Sequence, residues 1–319
     1  MNLSFPLQLI PEYRDYLWGG QRLRPGQLTA EAWAVYEGDH VAGDRITGNA
    51  IAGRTLAEVA AEAGAALLGE RAMSRTGTRF PLLIKILDCA QWLSLQVHPD
   101  DAEAVRLEGP GHFGKTEAWH VLDAAPAAQL IAGVRPETTA ETLADAIRGG
   151  TILDWAQYQD VRPGDTVFMP ARTIHALGPG LLIYEVQQTS DITYRVFDWN
   201  RPASPGRVLH IEKSLAVANP SASAPVRHVP ALTAGGRAEL VACPYFTLEL
   251  IVGQGQPVAM ETGGQTFHAL TVIEGAAEIV SPGGTLVLKR LDSAVVPAAC
   301  DAYEIRPLDG CRLLNASIG

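Results

Sequence analysis

The chain is short of cysteines, of charge and of long apolar runs, and each shortage excludes something. Its four cysteines, Cys89, Cys243, Cys300 and Cys311, are scattered with no Cys-x-x-Cys spacing. They read as reduced structural thiols, with no disulfide framework and a cytoplasmic setting. No apolar stretch approaches the roughly 20 residues needed to span a bilayer. The N-terminus, Met1 to Pro11, has neither the basic region nor the apolar core of a signal peptide. Basic residues are outnumbered: the formal net charge is −10, which argues against nucleic acid or an anionic membrane as a partner. With 19% charged and 47% hydrophobic residues, the composition is that of a soluble globular protein, and 319 residues suffice for two cores.

The informative stretch is Leu93-Ser94-Leu95-Gln96-Val97-His98-Pro99-Asp100-Asp101. Apolar Leu93, Leu95 and Val97 alternate with Ser94, Gln96 and His98, the pattern of a half-buried strand. Side chains two apart share a face, so Gln96 and His98 aim together with Ser94 beside them. Two further pieces carry compatible chemistry. Gly114-Lys115-Thr116-Glu117 puts Lys115 and Glu117 on one face, and Pro170-Ala171-Arg172-Thr173-Ile174-His175 supplies a second imidazole. Two imidazoles, a carboxylate and an amide oxygen, without thiolate, suit a divalent metal that keeps an open coordination position. In so acidic a chain an anionic substrate needs local cations, which singles out Lys115, Arg172 and Arg195.

The rest of the chain reads as strands divided by turns. Thr55 and Glu58 form a capping box that opens a helix to about Met73, interrupted near Gly64. Helical spacing returns over about 137–155, with Gly149-Gly150 as its stop. Residues 117–134 suggest a hairpin closed by Ala124-Ala125-Pro126. Trp18 reads as a core aromatic, and Lys85 as either a solvated strand lysine or a pocket residue. His112 reads as a loop residue, and His120 as facing away from Glu117. His40, His210 and His228 have no motif around them. Strands separated by turns rather than helices argue for antiparallel barrels and not a doubly wound sheet. Residues 216–238 have linker composition.

Leu93 to Asp101, the Gly-Lys-Thr-Glu block and the run Gln187-Gln188-Thr189-Ser190-Asp191-Ile192-Thr193-Tyr194-Arg195, in that order, resemble type I mannose-6-phosphate isomerase in its short bacterial form. The resemblance implies a mainly β fold of two cupin-type, jelly-roll antiparallel barrels with a short helical insertion. It implies a catalytic domain over residues 1–225, with both helical segments, and a metal-free barrel over 226–319, where His268 stands without partner ligands. It implies one zinc ion per chain on Gln96, His98, Glu117 and His175. Catalytic roles then fall to Lys115, Arg195 and Asp191, and substrate contacts to Ser94, Lys115 and Arg195. The implied reaction is isomerisation of mannose 6-phosphate to fructose 6-phosphate through an enediol. Lys115, Asp191 and a metal-bound water all stand as candidates to carry the proton, because other forms of the family place a histidine where this chain has Gly114. A metal cupin oxygenase and a non-catalytic sugar-phosphate sensor are the rival readings.

Overall fold

Alternation of apolar and polar residues, punctuated by glycine and proline, produces short strands, and those around the site pair antiparallel. The computed structural model describes residues 3–37, 45–47, 51–202, 206–229, 232 and 236–319. His40 lies outside the described residues. The chain divides into two units: Tyr13–Glu31 with Ile86–Val229, and Met1–Glu12 with Ala32–Lys85 and Pro230–Gly319. This grouping differs from a single cut near residue 225. The reason is strand pairing across the length of the chain, since Leu7–Ile10 is hydrogen-bonded to Ser293–Val296 with Leu7 opposite Val295. The helices Leu56–Ala63 and Ala65–Thr76 fall in that same unit. The first is opened by the Thr55–Glu58 capping box and ends at Gly64, as its sequence predicts.

In the unit that spans residues 86–229, five strands make one sheet. Their order is Tyr194–Phe197, Leu95–Val97, His175–Leu177, Gln129–Val134 and Ala156–Asp160. Opposite them run Val226–His228, Asp165–Met169, Glu117–Ala124 and Leu181–Gln188, neighbours in that order, and then Leu82–Cys89, within which the chain passes from one unit to the other. The core fills the space between: Trp119, Val121, Val167, Met169 and Ile183 from one sheet meet Leu130, Ala132 and Leu177 from the other. Trp18 is buried in this cluster, as expected.

The five-stranded sheet has a second apolar face. Leu95, Val97, Ile131, Ala176, Tyr194 and Val196 pack against Leu143, Ala146 and Ile147 of the helix Ala140–Gly149 and Val217 of the helix Ile211–Val217. Each large apolar side chain among them contributes about 1.5–3 kcal/mol by leaving water. This burial fixes the register, because a slip by one residue would turn Gln96 and His98 into the helices. The expected hairpin at 117–134 does not form. Both edges of Glu117–Ala124 are already occupied, by Asp165–Met169 and Leu181–Gln188, so the chain crosses to the opposite sheet. Ala125 marks the crossing and donates its N–H to the Gly180 carbonyl at 3.0 Å.

In the other unit the long strands His268–Ser281 and Ala302–Ser317 pair along most of their length, with bulges beside Val272 and Gly275. Ile251, Leu270, Val272, Ile279, Ile305 and Leu313 gather into one cluster. Lys85 is not a solvated strand lysine. It is buried with Nζ 5.1 Å from the centre of the Trp33 ring. His268 Nδ1 lies 2.7 Å from the Tyr303 hydroxyl, and burial pushes the imidazole from an ordinary 6.5 down to about 4, with Arg237 adding to the fall and Glu249 opposing it. The unfolded chain therefore takes up this proton first. The stabilisation is complete above about pH 6.5 and is lost as the pH falls toward 4, about 2 kcal/mol of it between pH 7 and 5. Urea titrations should show a shallower pH slope for His268→Gln than for wild type over that interval. Parallel slopes would remove His268 as the source.

Candidate metal centre

The centre is built by a switch from strand to helix. His98 ends the alternating run, and the proline after it holds its backbone extended. Asp100 then caps the helix Asp101–Glu108 in a reciprocal capping box with Glu103. His98 thus sits at a junction that cannot slide. His175 follows a tight turn in which Arg172 adopts φ +72° and donates its N–H to the His98 carbonyl at 2.7 Å. Directly opposite Gln96 in the sheet stand His175 on one side and Arg195 on the other. Glu117 reaches the same place from the facing sheet as the first residue of its strand.

The ligand atoms of His98, Glu117 and His175 all lie within 4.8 Å of one another, and all three side chains are buried. His175 Nε2 is 3.1 Å from His98 Nε2 and 3.3 Å from Glu117 Oε1. His98 Nε2 is 3.6 Å from Glu117 Oε2. Lys115, also buried, places Nζ 2.9 Å from Glu117 Oε2 and 3.1 Å from His98 Nε2.

The tautomers follow from the other ring nitrogens. His98 Nδ1 lies 2.7 Å from the Ile192 carbonyl and His175 Nδ1 lies 2.8 Å from the Thr173 carbonyl. A carbonyl only accepts, so both Nδ1 atoms carry the hydrogen and both Nε2 atoms present lone pairs. Burial, reinforced by Lys115, pushes His175 down to about 4 even though the Thr173 carbonyl favours its protonation, so the ring is neutral at pH 7. Two inward lone pairs beside a buried carboxylate form a donor set that repels itself and is satisfied by a cation. Imidazole nitrogens fixed by carbonyls behind them are the usual ligands of zinc and its neighbours. The residues fit such an ion.

Gln96 turns Nε2 toward His175 Nε2 at 3.3 Å. Ser94 is buried on the strand's approach. Arg195 is half-buried, donating from Nη1 to the Gly206 and Val208 carbonyls at 3.4 and 3.0 Å, while its buried Nε has no acceptor among the described residues. Burial and the neighbouring Arg207 lower its pKa from the ordinary arginine value. Arg172 faces Glu103 at 3.3 Å and donates to the Val217 carbonyl, away from the three ligand atoms. Asp191 is exposed, so its side chain is not drawn into the cluster. His120 is buried on the face of its strand away from Glu117, 2.9 Å from Thr166 Oγ1, and His112 is an exposed loop residue, both as predicted.

The sequence did not point to Trp119 and Glu185. Trp119 meets the His175 ring edge-on at 5.4 Å and donates from Nε1 to Glu185 Oε2 at 2.8 Å. The signal was available for Trp119, which shares a face with Glu117 by strand parity. Glu185 needed the register, which sets it opposite Trp119.

Residues 7–118 match the catalytic-domain model of type I phosphomannose isomerase. The chain is 33% identical to mannose-6-phosphate isomerase ManA of Bacillus subtilis, covering 96% of this chain and 97% of that protein. It is 34% identical to a mannose-6-phosphate isomerase of Streptococcus mutans, covering 95% of each. The crystal structure of a mannose 6-phosphate isomerase from Bacillus subtilis superposes with a TM-score of 0.83 at 30% identity, over 98% of this chain and 99% of that one. With the fold, the buried His98–Glu117–His175 cluster and this likeness along nearly the whole length, the chain belongs to the type I mannose-6-phosphate isomerase family.

Proposed function

We propose that the protein interconverts mannose 6-phosphate and fructose 6-phosphate through an enediolate, with one zinc ion per chain held by His98, Glu117 and His175. The observation that carries this reading is the pair of inward Nε2 lone pairs beside a buried carboxylate, with a lysine ammonium 2.9 Å from that carboxylate. Gln96 completes the set. The two ends of its amide are nearly isosteric, so a half-turn presents Oε1 where Nε2 now stands. When bound, the metal supplies Lewis-acid polarisation of the sugar's carbonyl and hydroxyl oxygens.

The side chains do the rest. Lys115 Nζ, fixed at the centre, holds charge on the enediolate oxygens and relays the proton between C2 and C1. Arg195 offers its buried Nε–H to the phosphate or sugar oxygens, a planar donor suited to either. Ser94 hydrogen-bonds the substrate deeper in the barrel. Asp191, exposed next to the Ile192 carbonyl that orients His98, assists ring opening at the rim. Four free thiols, three of them buried, fit a reducing compartment, and we place the enzyme in the cytoplasm.

A coupled assay tests the reading, with mannose 6-phosphate supplied and fructose 6-phosphate detected. Activity should disappear with chelator and return with zinc. In Arg195→Ala, bound zinc should stay at the wild-type level while kcat/KM falls about 10²-fold or more, as for loss of a charged oxygen-binding contact. No conversion by metal-loaded protein would sink the assignment.

A further inference from the structure

We propose that Gln188 and Asp101 are positioning residues that set Lys115 and Glu117 at the correct distance from His98. The inference rests on the roles proposed for those three side chains. One short stretch, Gln188 to Ile192, touches both halves of the centre. Gln188 Oε1 accepts from the Thr116 N–H at 2.9 Å, and the Gln188 N–H donates to the Thr116 carbonyl at 3.1 Å. Gln188 Nε2 donates to Asp101 Oδ1 at 2.9 Å, and that oxygen also accepts from the Gly114 N–H at 2.7 Å. Ser190 Oγ donates to the Phe113 carbonyl at 2.8 Å. At the end of the same stretch, the Ile192 carbonyl takes the His98 Nδ1 hydrogen at 2.7 Å.

Lys115 therefore lies between two residues whose N–H groups are held by side chains, and its own N–H donates to the Pro99 carbonyl at 3.0 Å. Glu117 follows directly after Thr116. Gly114 makes the arrangement possible: a Cβ there would stand 2.5 Å from the Asp100 carbonyl carbon and the Asp101 nitrogen. The segment rests against the start of the helix Asp101–Glu108 at a separation no side chain permits. No side chain fits before the lysine in this chain, and the Asp101–Gln188 pair holds the backbone on either side of Lys115.

Gln188→Leu removes both side-chain hydrogen bonds. It should lower kcat and the affinity for Co²⁺, used as the probe metal, by about 10–100-fold each, with KM changed less than about threefold. Gln188→Glu sets two carboxylates against each other at the 2.9 Å contact and should lose as much. Asp101→Ala removes the one oxygen that accepts from both Gln188 Nε2 and the Gly114 N–H, and should show the same losses of kcat and Co²⁺ affinity with KM nearly unchanged. Should Gln188→Leu fail to fold, Asp101→Ala decides. The proposal is overturned if either Gln188→Leu or Asp101→Ala keeps Co²⁺ affinity and kcat within about twofold of wild type, or if KM moves as much as kcat. If wild type binds Co²⁺ yet does not isomerise mannose 6-phosphate, the functional reading fails and the order of Co²⁺ affinities alone decides the positioning role.

Discussion

Purified His98→Ala protein should carry less than about a tenth of a metal ion per chain where wild type carries about one, and its turnover should fall by more than the roughly 10–100-fold that loss of an orienting partner costs. His98 contributes one of the two buried lone pairs, and its removal leaves Glu117 and His175 with a single nitrogen and a carboxylate between them. Zinc sites are held by strong nitrogen, sulfur or carboxylate donors, so a remnant of Glu117, His175 and the weakly donating Gln96 amide falls below what holds the ion. The substitution also deletes a buried ring that donates to the Ile192 carbonyl, which costs stability whatever the ligand role. Metal content by elemental analysis separates the two effects, and so does the response of the thermal midpoint to added zinc. Ligand binding to the native state alone raises that midpoint, so wild type should rise with zinc and His98→Ala should not. One zinc per chain in the variant would remove His98 from the ligand set.

The face carrying the centre is legible because strand parity is a local property. Leu95 and Val97 bury against helices, so Gln96 and His98 have one direction left. The same rule puts Lys115 with Glu117 and turns His120 away from both. What parity does not encode is partner choice. The alternating pattern at 117–134 reads as a hairpin, yet the strand Glu117–Ala124 finds both its partners far along the chain. The division into units is hidden for the same reason, since Leu7 closes on Val295 and no composition shift marks that pairing. Asp101 and Gln188 carry no signal either. They stand 87 positions apart, and each alone looks like an ordinary helix-start acid or strand-end amide.

Lys115→Met should leave the metal in place and lower kcat by about 10²–10⁴-fold, the range for a positioned proton-transfer group. Methionine keeps the apolar stem of lysine and nearly its length, so packing is largely retained, while the contacts at 2.9 Å to Glu117 and 3.1 Å to His98 disappear. Different roles for Lys115 give different kinetic signatures. A group acting on the enediolate alone is felt only in the transition state, so kcat and kcat/KM fall together with KM unchanged. A group that only binds the phosphate raises KM and leaves kcat. If Lys115 instead serves chiefly to neutralise buried Glu117, metal binding reports on it. A divalent ion next to the carboxylate then replaces the lost ammonium, so zinc affinity in Lys115→Met should rise or hold, with no loss of stability once the metal is bound. Unchanged kcat and KM at full zinc occupancy would take Lys115 out of the chemistry and out of phosphate binding, and leave Glu117 neutralisation as its whole function.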